Sequence, residues 1–302
     1  MRDKLAKTPG PHHTYPMNDV LPPTNDWIFK LLFGDERNRS TLVDLLKSFI
    51  RLPDEEYELV YLDPHLKPEY DDDKLGILDV KVRTKTGKIV HIEIQVEPMQ
   101  AIAKRLSFYK SKLIVSQINK SEQYDKIQKV ICICITSKPL FPKVKEYLNR
   151  FRFWNEANGL CFEEIPEEIY TLELSKLPRS NDGSPLWGWM RFLTSKTKEE
   201  FEMVAKENPE IRKATDNLYQ LSGDEKVRAK YERREKAWRD RISAMDASEK
   251  RGVERGREEG LKEGLKEGLK ETARKALAKG YSPEQIRDIT GLDMETIERL
   301  RN

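Results

Sequence analysis

Cysteine is scarce in this chain, with three in 302 residues and none at a metal-ligand spacing. An odd, small count excludes a fully paired disulfide scaffold and suits a reducing compartment, so a cytoplasmic protein is expected. A dominant charge sign is missing too. Lys plus Arg number 55 against 52 Asp plus Glu, a net charge of +3. No global field therefore steers the chain onto nucleic acid, and any basic surface must be local. No apolar run reaches the length of a membrane span and the N-terminus lacks a signal-peptide core, so no membrane partner is expected. Hydrophobic residues are few at 37% and charged ones abundant at 35%. A normal core diluted by one highly charged segment would give both values.

The chain divides on that basis. Residues 1–24, rich in Pro, Lys and His, lack periodicity and read as a mobile lead-in that includes His12 and His13. Asn25 or Asp26 can cap a short helix carrying Trp27, Phe29, Leu32 and Phe33, which Gly34 ends. Leu42 to Ile50 repeat at helical spacing before Pro53. A short strand is expected over Glu58–Leu62, then a hairpin of Ile77–Arg83 and Lys88–Glu97 around the loop Thr84–Lys88. Ala101–Asn119 reads as a helix with Ile102, Leu106, Tyr109 and Leu113 on one side. Val130–Thr136 reads as a buried strand with Cys132 and Cys134 in the core, and Ile169–Leu174 as one further strand. These elements make an α/β domain over 25–180.

A helical extension is expected over 181–245, with Trp187, Trp189, Met190, Phe192 and Leu193 packing onto that domain. Residues 246–302 then carry a period-four repeat of Gly252, Gly256, Gly260, Gly264 and Gly268, with Leu261, Leu265 and Leu269 after the last three. Such a helix either self-associates into a homo-oligomer through its Gly/Leu stripe or stands as a solvated spacer, since each glycine costs about 1 kcal/mol relative to Ala. Ser282-Pro283-Glu284-Gln285 begins a small helix–turn–helix tip, an outline shared by DNA readers and docking tips.

The hairpin carries the chemistry. Leu78, Val80 and Val82 alternate with Asp79, Lys81 and Arg83, and Val90, Ile92, Ile94 and Val96 alternate with His91, Glu93, Gln95 and Glu97. Both apolar rows must face the core, so the polar rows share the other face. Pairing Arg83 with Ile89 keeps core residues opposite core residues and sets Lys81 opposite His91 and Asp79 opposite Glu93. Opposed carboxylates with Cβ atoms about 5 Å apart repel unless a cation or proton lies between them. Mg²⁺ fits such a pair, with Mn²⁺ as a substitute, because it keeps waters and takes phosphate oxygens from a substrate. Gln95 projects from the same face and can orient a water but cannot act as a base. His91 is either that base or simply the cross-strand neighbour of Lys81. A solvent-exposed sheet face of mixed charge accounts for the same alternation.

Asn25-Asp26-Trp27-Ile28-Phe29-Lys30, Leu32-Phe33-Gly34, Leu78-Asp79-Val80-Lys81-Val82 and His91-Ile92-Glu93-Ile94-Gln95 together resemble the Rpn family of recombination-promoting nucleases and transposases, within the PD-(D/E)XK nuclease superfamily. Arg105, Tyr109 and Ser111, the stretch Gln117 to Tyr124, the strand Val130–Thr136 and the Gly-Leu-Lys-Glu repeat continue the likeness. The resemblance implies an αβββαβ core with a mixed sheet, followed by a charged helical extension. It also implies Mg²⁺-dependent DNA endonuclease activity linked to recombination or mobile elements. Asp79 matches the motif aspartate and Glu93 the (D/E), while Gln95 stands where the superfamily has lysine. Lys81 or Lys104 could supply that missing charge, and Asp26 is either a metal ligand or a helix cap. The alternative is a catalytically weakened, nuclease-derived module for DNA binding or assembly.

Overall fold

The computed structural model describes residues 20–65, 79–95 and 101–301. His12 and His13, and the outer hairpin residues Ile77, Leu78, Val96 and Glu97, lie outside them. The chain forms two compact units that divide between Tyr231 and Glu232.

In the first unit, α1 (Asp26–Phe33) is started by Asn25, whose side chain accepts the backbone N–H groups of Trp27 and Ile28. It buries Ile28, Phe29, Leu32 and Phe33 and stops at Gly34. α2 (Arg39–Phe49) buries Leu42, Leu45, Leu46 and Phe49 against the same core. Then come β1 (Val60–Tyr61), β2 (Val80–Arg83), β3 (Ile89–Gln95), α3 (Ile102–Val115) and β4 (Val130–Thr136). Three short strands that sequence alternation does not reveal follow: β5 (Leu148–Phe151), β6 (Trp154–Asn155) and β7 (Leu160–Cys161). They sit at an edge or in a separate ribbon, where no buried face imposes a pattern. β8 (Glu167–Glu173) completes a six-stranded sheet of order β1-β2-β3-β4-β8-β5. β1, β2 and β3 run antiparallel in sequence, β3, β4 and β8 are parallel, and β5 is antiparallel to β8.

Both faces of the central strands are buried. Val90, Ile92, Ile94, Ile131, Ile133, Ile135 and Leu172 join the main core with α1 and α2. The opposite face, with Ile89 and Cys132, lies under Tyr109 and Leu113 of α3. A parallel β3–β4 pair requires a crossover, and the crossover helix must cover one face. The polar row of β3 is therefore no exposed surface. It is roofed by α3.

Helices α4 (Pro185–Thr194), α5 (Lys198–Ala205) and α6 (Pro209–Gly223) close the main core from the far side. Trp189 is fully buried, meets Phe33 edge-on at 5.7 Å between ring centroids, and donates its indole N–H to Asp44 Oδ2 at 2.9 Å. Asn208 Nδ2 donates to the same oxygen at 2.9 Å, so one α2 carboxylate ties down both α4 and the start of α6.

α7 (Glu225–Ala278) leads into the second unit. Its five repeat glycines have open space where a Cβ would project, and Leu261 and Leu265 are exposed. Ala273 is fully buried with Ile286 of α8 (Pro283–Thr290) and Ile297 of α9 (Met294–Arg301). The expected capping box of Ser282 and Gln285 is formed, and Gly291 adopts a φ of 70° that ends α8. Among the described residues, no helix is long and apolar enough to cross a membrane.

Two outcomes follow. Trp189→Ala should cost about 3–5 kcal/mol in urea unfolding followed by a signal from the sheet; an unmoved midpoint would mean that α4–α6 do not share the sheet's core. Gly256→Ala and Gly264→Ala should each raise helix stability by up to about 1 kcal/mol in thermal melts. A lowered melting temperature would instead mean that another chain packs against this stripe.

Candidate active site at the carboxyl end of the parallel strands

The hairpin register is the expected one: Val80 pairs with Ile92, Lys81 with His91, Val82 with Val90 and Arg83 with Ile89. One step further along this ladder places Asp79 beside Glu93. Regular pairing stops there because the Asp79 side chain takes over a strand contact. Its Oδ2 accepts the Ile94 backbone N–H at 2.8 Å.

Glu93 sits under α3 with 2% of its side chain exposed. Its Oε1 is ion-paired with Arg105 of α3, while Oε2 has no hydrogen-bond partner. His91 is fully buried, with its Nε2 3.3 Å from that Oε2 but not aligned to bond it, and its ring lies edge-on to Tyr109. Gln95 is half-buried at the last position of β3, next to Thr136 of β4.

The other candidates lie further out. Asp26 is exposed in the first turn of α1, where its Oδ1 accepts the Trp27 N–H at 2.7 Å, and its charge still reaches Asp79. Lys81 Nζ donates to the Asp63 carbonyl at 3.3 Å, toward the β1 edge. Lys104 is exposed on α3. Cys132 and Cys134 are core residues beside His91 and Glu93, and burial pushes both thiols up to about 12.

The electrostatics follow from this packing. Burial, then the charge of Glu93, then that of Asp26 push the Asp79 carboxyl up to about 8; the Ile94 N–H and the Arg105 charge oppose the rise. Two neighbouring carboxylates, one with an orphaned buried oxygen, are short of positive charge. A hard divalent ion fits that deficit. Among the described residues, no group of three or more His, Cys, Asp or Glu side chains is placed to hold a metal. Asp79 and Glu93 are the two carboxylates that could hold such an ion, which would leave positions for water and substrate.

Arg105 is the contact that spacing on the hairpin does not disclose. Arg105 and Tyr109 lie four apart, on one helical face. A signal was present: this face also carries Leu113, so the helix must bury it, and the polar row is what it covers.

Residues 23–248 match the family model described as PD-(D/E)XK nuclease family transposase. The chain belongs to this family. No curated protein and no solved structure matches it. The mixed six-strand sheet with flanking helices is consistent with a PD-(D/E)XK-like fold, and membership supports a nuclease- or transposase-like function. The match takes in α1, the hairpin, α3 and α4–α6, and stops within α7 before Gly252.

The raised Asp79 carboxyl has a measurable consequence. Its folded-state pKa lies above the ordinary aspartate value, so folding takes up a proton between about pH 4 and about pH 8. The stability from this group is present below that window and is lost as pH rises through it. With chelator present, Asp79→Asn should therefore gain on wild type in urea midpoint as pH rises from about 5 to about 8. A difference that stays flat with pH would remove the electrostatic account of the site.

Proposed function

We propose that this chain is a Mg²⁺-dependent DNA endonuclease that hydrolyses phosphodiester bonds, with Mn²⁺ able to substitute, acting in recombination or on mobile DNA in the cytoplasm. The observation that carries this reading is the pairing of half-buried Asp79 with buried Glu93, whose Oε2 is unpartnered, in a nuclease-family fold. Bound Mg²⁺ supplies Lewis-acid polarisation of the phosphate and a more acidic water.

The chain's residues supply the rest. Asp79 and Glu93 bind the ion; Glu93 is held within β3 and Asp79 directly before β2, so little reorganisation is needed. The Ile94 N–H fixes one oxygen of Asp79, and Arg105 fixes one oxygen of Glu93. Gln95 orients the attacking water through its amide. His91, enclosed beneath Tyr109, packs behind Glu93 and keeps bulk water from that side.

A second reading, a weakened nuclease that binds DNA or assembles, is favoured by the neutral Gln95. The exposed Trp238, Ile242, Met245, Leu261 and Leu265 of α7 favour a homo-oligomeric form of either.

Supercoiled plasmid DNA with Mg²⁺ tests the first reading. Wild type should nick it, chelator should abolish nicking, and Asp79→Ala should stay folded while losing at least about a hundredfold in rate. Undiminished cutting by Asp79→Ala would sink the assignment. Salt-sensitive binding without cutting would favour the second reading.

A further inference from the structure

The charge balance of the site leaves one role unassigned. With a divalent ion bound, Asp79, Glu93 and Asp26 place three carboxylates around a site that must receive an anionic phosphodiester. Gln95 contributes none. One divalent ion offsets two of these charges, yet the phosphate gains further negative charge as water attacks. Reaction there requires a cation from the chain itself, within reach of both the carboxylates and the open side of the site.

Among the described residues, three side chains bear on that requirement. Lys81 reaches back to the Asp63 carbonyl at the β1 edge. Lys104 projects into solvent from α3. Arg105 has one arm of its guanidinium on Glu93 Oε1 and its Nε donating to the Tyr109 hydroxyl at 3.1 Å. Its Cζ is 5.2 Å from the centre of the Tyr109 ring. These contacts fix the fork in place, yet 29% of the side chain is exposed against 2% for its partner Glu93. Arg105 is thus paired with the buried carboxylate while its side chain is still partly reached by solvent. A planar fork with five donors can hold a carboxylate and still meet a phosphate.

We propose that Arg105 is a catalytic residue that binds the scissile phosphate of the DNA and neutralises the charge gathering on its non-bridging oxygens, in place of a lysine at position 95. The proposal rests on reading Asp79 and Glu93 as a phosphodiester-cleaving pair. It differs from a purely structural role, in which Arg105 would only keep Glu93 paired beneath α3.

The full chain decides between these. In Mg²⁺ with saturating DNA, Arg105→Gln should lower the cleavage rate by about 10² to 10³-fold. Arg105→Lys should retain activity within about tenfold of wild type, and adding Gln95→Lys to Arg105→Gln should recover part of the loss. Binding supplies the readout that a structural role would not move. In a Glu93→Gln background the buried charge that needs Arg105 is gone, so removing Arg105 strands no partner. There, Arg105→Gln should make the fall of duplex affinity with salt, measured in Ca²⁺, shallower by about one in log–log slope. An unchanged slope overturns the proposal, as does a folded Arg105→Gln that cleaves within about threefold of wild type. Wild-type protein that neither cleaves in Mg²⁺ nor loses anything on Asp79→Ala overturns the underlying nuclease reading, and this proposal with it.

Discussion

Covering the polar row of β3 with α3 is the constraint on which the rest of this molecule turns. A parallel β3–β4 pair must be joined by a crossover, and here the crossover helix lies over the face that carries His91 and Glu93. A carboxylate buried to 2% exposure would be costly alone. The helix that buries it also delivers Arg105 to pair with it, and Tyr109 to hold Arg105. Breaking such a pair from one side is far more damaging than having the pair at all.

The same cover sets the site's chemistry. Asp79 lies close enough to Glu93 for the two charges to oppose each other, and burial holds its carboxyl high. What would be a screened pair on an open sheet becomes a deficit of positive charge in a low-dielectric place. One cation is built in. Backbone does much of the positioning: the Ile94 N–H takes an Asp79 oxygen where the ladder would otherwise continue. Both functional strands are anchored by the main core, which α4–α6 complete through Trp189 and Asp44. The helices after residue 180 thus support the sheet that carries the site.

The division at Tyr231 separates two kinds of stability. The first unit rests on a buried sheet. The second buries little beyond Ala273, Ile286 and Ile297, and much of α7 before them is exposed charge interrupted by glycine. The family match ends at residue 248, ahead of the glycine repeat. The candidate chemistry and the repeat therefore belong to different parts of the chain.

Period-two alternation was enough to set the hairpin register, because slipping one residue would have driven Val80, Val82, Val90 and Ile92 out of the core. The cap at Asn25, the buried strand Val130–Thr136 and the capping box at Ser282 were legible for the same reason: each is decided by neighbours in sequence. Strands β5 to β7 were not, since at an edge no buried face imposes a pattern on Leu148–Phe151 or Trp154–Asn155. Nor was the depth of Glu93. Alternation says that two rows lie on opposite faces, but not what covers the second. By itself the sequence determined that Asp79 and Glu93 would meet. Only the tertiary structure decided that Glu93 lies buried and paired with Arg105 of α3, because that contact joins residues from separate elements and no local period encodes it.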